Sequence, residues 1–303
     1  MINVLYIDRM WNRVDLFRQT INTAGKAGSC SFGSDITQSR NYDYVVMSPQ
    51  IEFLSISLQF ARERRILFVM ENPSIWRIPQ EVVESAGIIV SPFKEYANNS
   101  AKFYWQNGCI PWFYGINFCT NSGLTHNPKD SAMDLGSMIS VDNRRKTKLL
   151  SVVMSSKSGS HGYKWRQDLC SGIKKYFGRD CDVFGFGHKP LSDKRLALDS
   201  YAFTLAVENS SSDLYWTEKL ADALIGRSYP LYSGASKVND EFISDFNCIP
   251  FGCAIEDAIR VVSRIVSLYS SDYRRIIEEN RHHLLLHHNI FYTVNNIVTD
   301  RDF

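Results

Sequence analysis

Short apolar runs alternate with stretches of helical spacing over the first third of the chain. The runs are four or five residues long and rich in valine and isoleucine, so we predict strands there. The predicted strands are residues 4–7, 44–47, 66–70 and 87–90. Helical spacing lies between them, around residues 14–22 and 54–63. Strands that alternate with helices predict a parallel, Rossmann-like sheet.

A second series with the same alternation follows a polar segment. Asn, Ser, Gly, Thr and Asp are common over residues 120–146, which we predict to be an interdomain linker or a mobile loop. The strands predicted after it are residues 149–154, 182–184, 203–207, 229–232 and a short one near 247–249. Residues 267–291 are predicted to form a long helical stretch that closes the chain.

This organisation predicts an α/β protein with two Rossmann-like domains that face each other across a cleft. We expect the N-terminal domain over residues 1–120 and a linker or loop over 121–147. The C-terminal domain is expected over residues 148–265, followed by a helical segment over 266–303.

Composition and charge narrow the class of protein. The chain has 303 residues, 44% of them apolar, and a formal net charge of +2, which is too small to indicate a nucleic-acid partner. No run approaches the roughly 18 apolar residues that cross a bilayer, and residues 1–8 resemble a strand more than a signal peptide. The cysteines form no CxxC pair and predict free thiols in the cytoplasm. They are Cys30, Cys109, Cys119, Cys170, Cys181, Cys248 and Cys253.

Residues 201–219 carry the strongest functional pattern. An alternating apolar segment leads through a polar loop to Thr217, a good helix N-cap, and a further apolar run follows at 229–232. A strand–loop–helix–strand unit places its loop at the carboxyl edge of a parallel sheet, where α/β proteins bind ligands. The helix N-terminus and Lys219 suit a phosphate, because free N–H groups and an ammonium attract an anion. Four loop side chains suit sugar hydroxyls: Glu208, Asn209, Tyr215 and Glu218.

The order of these residues resembles the donor-site signature of the α-1,3-fucosyltransferase family, glycosyltransferase family 10. The matching elements are Glu208-Asn209, Tyr215, Thr217-Glu218-Lys219, Pro230 and Gly234. The resemblance covers residues 147–260 well and the first 120 residues weakly. It implies a GT-B fold and inverting transfer of L-fucose from GDP-fucose to a glycan or glycoconjugate acceptor. It also implies that the N-terminal domain binds the acceptor and the C-terminal domain the donor.

Arg166 follows a predicted strand and a loop rich in serine and glycine that also contains Lys157. Cations and backbone N–H groups in such a loop suit a diphosphate. Family members have an Arg here, followed by a helix and an Asp-Val segment, which Asp182-Val183 matches. The resemblance implies that Arg166 and Lys219 contact the diphosphate and Glu218 the donor sugar. Asn209, Tyr215 and Thr217 complete the predicted donor site, while Glu208 is open to a structural interpretation.

Glu71 ends an apolar strand of the first domain, in Glu71-Asn72-Pro73. A carboxylate at this edge of the sheet faces the cleft and is suited to accept a proton from an attacking hydroxyl. The family has Glu-Ser-Pro at a comparable place, and the resemblance implies that its Glu is the general base. Asn72 departs from that pattern. Glu95 is the reserve candidate for the base.

Other chemistry is less well supported by the sequence. Asp180-Cys181-Asp182 has the spacing of a metal-binding Asp-x-Asp, and His283 and His287 are one helical turn apart. We predict no metal site and no required cofactor, because GT-B enzymes use cations and helix dipoles at the phosphates. No GxGxxG follows the first strand, which argues against a dehydrogenase. Two alternatives stay open: a transferase that uses another nucleotide sugar, and a non-catalytic protein that binds nucleotide sugars.

Overall fold

The computed structural model describes residues 1–7, 16–119, 125–126, 133–141, 145–154, 161–185, 187–189, 191–268 and 271–299. Two separate sheets dominate this part of the chain. The loop 155–160 with Lys157 and much of the segment 121–147 lie outside the described residues. None of the described helices is both long and apolar enough to cross a membrane.

The first sheet has seven strands and lies in the N-terminal third of the chain. Its strands are β1 (Ile2–Tyr6), β2 (Lys26–Ala27), β3 (Cys30–Gly33), β4 (Tyr44–Met47), β5 (Arg65–Phe68), β6 (Ile88–Ser91) and β7 (Lys102–Trp105). Their order is β2-β3-β1-β4-β5-β6-β7, and only β2 is antiparallel to its neighbour. A small antiparallel pair follows, β8 (Phe118–Cys119) and β9 (Thr125–His126).

The second sheet is wholly parallel and has four strands. They are β10 (Lys148–Met154), β11 (Cys181–Gly185), β12 (Tyr201–Val207) and β13 (Tyr229–Ser233), in the order β11-β10-β12-β13. Strand β12 is buried along its whole length, as its apolar residues require. The predicted α/β class with two parallel sheets is confirmed. The domain boundaries given above stay a prediction.

Helices cover both sheets. The described α-helices are α1 (Leu54–Ser57), α2 (Gln80–Ser85), α3 (Leu135–Ser140), α4 (His161–Phe177), α5 (Arg195–Leu198), α6 (Glu218–Ile225), α7 (Ile255–Ser267), α8 (Ser271–His287) and α9 (Ile290–Val298). Short 3₁₀ turns lie at Leu16–Gln19, Ile21–Thr23, Ile36–Asn41, Ile51–Phe53, Arg62–Arg64, Lys94–Tyr96, Gly178–Asp180 and Val238–Glu241. Helices α4 and α7 pack on one face of the second sheet and α6 on the other, and α8 contributes buried residues to both apolar clusters.

The last helix returns to the first sheet and joins the two ends of the chain. Phe291 of α9 is fully buried, and its ring lies 4.9 Å from that of Phe32 and 5.8 Å from those of Tyr6 and Phe17. Burial of an aromatic side chain of this size stabilises the fold by about 2–3 kcal/mol. The C-terminal helix is therefore part of the core beneath the first sheet.

Four predicted elements differ from the structure. Residues 54–63, which are predicted to be helical, form only the short helix α1. Residues 14–22 are also predicted to be helical, and their described part forms 3₁₀ turns. Residues 247–249 are not a strand, although Ile249 N donates to Tyr232 O at 2.8 Å beside β13. The closing helix is broken near Asn289, whose buried side chain caps α9 and donates to Gln19 O at 2.8 Å.

Candidate donor and acceptor site

A wholly buried carboxylate organises the loop between β12 and α6. Glu208 directly follows β12, and its Oε1 accepts hydrogen bonds from Thr217 N at 2.8 Å and Thr217 Oγ1 at 3.0 Å. Its Oε2 lies 3.2 Å from Lys219 Nζ. Thr217 is the N-cap of α6, as predicted, and its side chain accepts from Lys219 N. Glu208 therefore fixes the start of α6, the structural role that the sequence left open.

Lys219 lies among several carboxylates. Its Nζ is 3.4 Å from Glu218 Oε1, in addition to its contact with Glu208. Burial acts against the charged form of Lys219, but Glu208 and Glu218 outweigh it and keep its pKa above the ordinary value. Burial also opposes the charge of Glu218, but Lys219 and Lys194 outweigh it and lower the pKa of Glu218 to about 2. Both side chains are therefore ionised at neutral pH.

Two charged residues outside the predicted donor site pair with each other beside Glu218: Lys194 and Asp222. Lys194 Nζ lies 2.6 Å from Asp222 Oδ2 and 3.8 Å from Glu218 Oε1, with only 14% of its side chain exposed. Asp222 Oδ1 accepts from Phe113 N at 2.8 Å and Tyr114 N at 2.9 Å, so helix α6 is tied to the segment after the first sheet. The only sequence signal for Asp222 is its position one helical turn after Glu218.

Arg166 lies on α4 at the carboxyl end of β10. Its Nη2 donates to Val153 O at 3.0 Å, and its charge is near enough to Lys219 to oppose that residue's protonation. The structure therefore brings Arg166 and Lys219 to the same edge of the second sheet. Lys164 is exposed on α4.

Asn209 and Tyr215 lie at the two ends of the loop that follows β12. Asn209 Nδ2 donates to Tyr163 Oη at 3.3 Å, and a Cβ at Gly162 would lie 2.0 Å from Asn209 O. The loop is thus pressed against the start of α4. Tyr215 is 2% exposed, and burial, followed by the nearby Glu71 charge, raises its pKa above the ordinary value. Tyr215 is therefore a neutral hydrogen-bond donor.

Tyr215 joins the two halves of the protein. Its hydroxyl donates to Glu71 Oε1 at 2.7 Å, and the same oxygen accepts from Asn72 N at 2.9 Å. Asn72 Nδ2 also crosses the cleft and donates to Ser210 Oγ at 3.0 Å. Asn72, which departs from the family's Glu-Ser-Pro pattern, therefore bonds with the loop between β12 and α6, which we call the donor loop. Glu71 follows a strand of the first sheet and Tyr215 follows a strand of the second. These two predicted site residues are in direct contact.

A shallow pocket lies beside Glu71 at the carboxyl edge of the first sheet. Apolar side chains form most of its wall, and Glu71 is the acidic group in it. Its lining residues are Tyr6, Val46, Met47, Pro49, Phe68, Met70, Glu71, Trp76 and Ile78. The reserve candidate Glu95 is not among these residues. Its carboxylate is half exposed and pairs with Arg77 at 3.1 Å.

The other charged motifs have structural partners. Asp182 accepts from Lys189 Nζ at 2.5 Å, Tyr201 Oη at 2.7 Å and Lys148 Nζ at 3.2 Å, and these bonds, Lys189 first, hold its pKa well below the ordinary value. The rings of His283 and His287 stack with centroids 4.4 Å apart. Within the described ranges, no group of three or more His, Cys, Asp or Glu side chains is arranged to hold a metal ion.

Comparison with known proteins places residues 143–248 in a recognised family. They match the model described as glycosyltransferase family 10 (fucosyltransferase) C-terminal domain. A search of curated proteins gave no match. The matched segment contains Arg166 on α4, Tyr215 in the loop after β12 and Lys219 on α6.

Solved structures share the architecture of the whole chain. A crystal structure of an α1,3-fucosyltransferase aligns with 100% of this chain and 92% of its own, at 14% identity and a TM-score of 0.53. The crystal structure of an α1,3-fucosyltransferase with GDP-fucose aligns with 100% of this chain and 91% of its own, at 13% identity and a TM-score of 0.53. Anabaena HepE in complex with UDP and glucose aligns over 99% of both chains, at 8% identity and a TM-score of 0.52. At these identities the likeness establishes the fold alone.

The two sheets face each other across the Glu71–Tyr215 contact, and this arrangement is the GT-B fold. The family match identifies the protein as a glycosyltransferase. The predicted resemblance to glycosyltransferase family 10, the fucosyltransferases, is confirmed for residues 143–248.

Proposed function

We propose that the protein is an inverting fucosyltransferase that moves L-fucose from GDP-fucose to a hydroxyl of a glycan or glycoconjugate. The observation that carries this proposal is the 2.7 Å contact of Tyr215 with Glu71. It brings a candidate base from the first sheet to the loop that matches the fucosyltransferase family. The second half of the protein would hold the donor and the first half the acceptor.

In this mechanism the acceptor oxygen attacks the anomeric carbon of the donor sugar. The bond from that carbon to the diphosphate oxygen breaks, and its electron pair leaves with GDP. Among the described residues, both hydrogen bonds to the Glu71 carboxylate go to Oε1. Oε2 would accept the proton of the attacking hydroxyl. A single displacement from the opposite face inverts the anomeric centre.

Charge on the departing diphosphate would be stabilised by Arg166 and Lys219. Fixed cations at the site of developing charge are usually the largest contribution to such catalysis. Glu218 would hydrogen-bond the fucose hydroxyls, assisted by Asn209 and Tyr215, while Thr217 caps the helix. With these cations in place the proposal requires neither a metal nor another cofactor. We also propose a cytoplasmic location, which is supported by the free thiols of the six cysteines with described side chains.

The choice of nucleotide is tested by calorimetric titration with GDP, UDP, ADP and CMP and with their common sugar conjugates. Selective binding of GDP and GDP-fucose supports the proposal. Selective binding of another nucleotide would overturn the fucose assignment and keep a transferase with a different donor. Donor binding without transfer to any glycan or to water would favour the non-catalytic alternative.

A further inference from the structure

A buried segment after β7 contacts both the donor loop and the backbone between β5 and Glu71. Asn107 is 1% exposed, and its Nδ2 donates to Trp216 O at 2.8 Å and to Leu214 O at 3.4 Å. These two carbonyls flank Tyr215 in the sequence. The Asn107 side chain therefore holds the donor loop on both sides of the tyrosine that contacts Glu71.

The next residue packs against the backbone that leads to Glu71. A Cβ at Gly108 would lie 2.1 Å from Val69 O, so only glycine allows the two backbones to approach this closely. Cys109 then adopts a left-handed conformation with φ of 54°, and its N–H donates to Asn107 Oδ1 at 2.8 Å. A non-glycine residue held in this region costs on the order of 1 kcal/mol or more, and it persists where the surroundings fix it. The conformation of residues 107–109 is therefore fixed by contacts with Val69 in the first half of the protein and with the donor loop in the second.

Glu241 completes the connection from the second half of the protein. Its Oε1 accepts from Asn107 N at 2.8 Å and its Oε2 from Trp216 Nε1 at 2.5 Å. The Trp216 indole is 2% exposed and packs on Phe242 and His288, with ring centroids 5.4 Å and 5.1 Å away. Asn107 and Trp216 are therefore held together through both their backbone and their side-chain groups.

We propose that Asn107 is a positioning residue for the transfer reaction, which sets the Tyr215 hydroxyl on Glu71 by fixing the carbonyls of Leu214 and Trp216. This inference rests on the proposed function, because it assigns Asn107 an effect on the base and on the donor loop. Asn107 is not bonded to Arg166 or Lys219 in the described structure, so its loss should change turnover more than diphosphate binding.

The test compares Asn107→Ala with Asn280→Ala. Asn280 is a suitable control, because it is also fully buried and its amide also bonds to backbone groups. Its Oδ1 accepts from Ile243 N at 3.1 Å and Ser244 N at 2.9 Å, and its Nδ2 donates to Ser244 O at 2.7 Å. Both variants lose comparable hydrogen bonds, and only the first loses them at the donor loop. Asn107→Asp, which keeps the shape and loses both donated bonds, serves if Asn107→Ala does not fold.

We expect Asn107→Ala to lower kcat by roughly 10-fold or more, since small misplacements of reacting groups have effects of this size, while the Kd for GDP changes by less than about 3-fold. Asn280→Ala should keep the wild-type kcat. In the Tyr215→Phe background, where the bond to Glu71 is already lost, Asn107→Ala should have little further effect on kcat. Equal kcat in the two Asn variants, or full additivity with Tyr215→Phe, would overturn the inference.

Hydrogen exchange of residues 212–218 gives a readout that does not need activity. Exchange there should rise in Asn107→Ala or Asn107→Asp and stay at the wild-type level in Asn280→Ala. If the wild type neither binds GDP nor transfers fucose, the proposed function fails, and this exchange still decides whether Asn107 holds the loop. Unchanged exchange in both Asn107 variants would reject that role.

Discussion

Replacing Lys219 tests whether its charge serves the donor, the fold, or both. Lys219→Met keeps most of the aliphatic chain and removes the ammonium that lies 3.2 Å from Glu208 Oε2 and 3.4 Å from Glu218 Oε1. At an effective dielectric constant of about 20, each contact is worth roughly 5 kcal/mol before desolvation is subtracted. Removing one partner of a buried ion pair typically costs about 3–5 kcal/mol, because the other charge is left uncompensated.

We therefore expect Lys219→Met to lower the free energy of unfolding by about 3 kcal/mol, or roughly 5 °C in Tm for a chain of 303 residues. The double variant Glu208→Gln with Lys219→Met removes the stranded charge, while the amide that replaces the carboxylate can still bond to Thr217. It should regain much of the lost stability and none of the GDP affinity. The assays are thermal unfolding by circular dichroism and calorimetric titration with GDP.

This comparison separates the two roles of Lys219. If the double variant regained both stability and wild-type GDP affinity, Lys219 would be structural and its assignment to the diphosphate would be refuted. If neither variant lost stability, the buried pair with Glu208 would contribute nothing, and the electrostatic account of this loop would be wrong.

Three further predictions concern the base, the buried acid and the C-terminal helix. Glu71→Gln should lower kcat by about 10²-fold or more with GDP affinity retained, and steady-state kinetics with calorimetry checks both; an unchanged kcat would remove Glu71 as the base. Burial raises the pKa of Glu241 from 4.5 to about 7, so the folded protein binds this proton more tightly than the unfolded chain. The stabilisation from this proton is full below pH 4.5 and is lost as the pH rises to about 7. The difference in unfolding free energy between wild type and Glu241→Gln should therefore change by about 3 kcal/mol across this range. Parallel pH profiles of the two proteins would contradict this prediction. Phe291→Ala should cost about 3–5 kcal/mol of unfolding free energy, measured by urea titration, and a cost below about 1 kcal/mol would show that α9 does not belong to the core.

Local patterns predicted the strands β1, β4 to β6 and β10 to β13 and the loop after β12, because these depend on neighbouring residues. The run that became β12 is apolar at every position that the sheet buries except Thr204, and Thr217 caps α6 through a bond two residues away. The sequence order from Asn209 to Lys219 likewise needed no distant contact to be recognised.

The remaining features depend on contacts between distant residues. Tyr215 and Glu71 are 144 positions apart, and Asp222 meets Phe113 across 109 positions, so no local pattern could pair them. The break before α9 has a similar cause, since the Asn289 side chain bonds to Gln19, 270 positions away. Asn107 carries no motif at all, and its role became visible only once β7 placed it against the donor loop.

Transfer of fucose from GDP-fucose with Glu71 as the base can be tested in a single experiment. The most direct measurement is mass spectrometry of a mixed glycan pool incubated with GDP-fucose and either the wild type or Glu71→Gln. The wild type should yield glycans that gain one deoxyhexose, and the variant almost none. Equal yields from both proteins, or transfer only when a different nucleotide sugar is supplied, would contradict it.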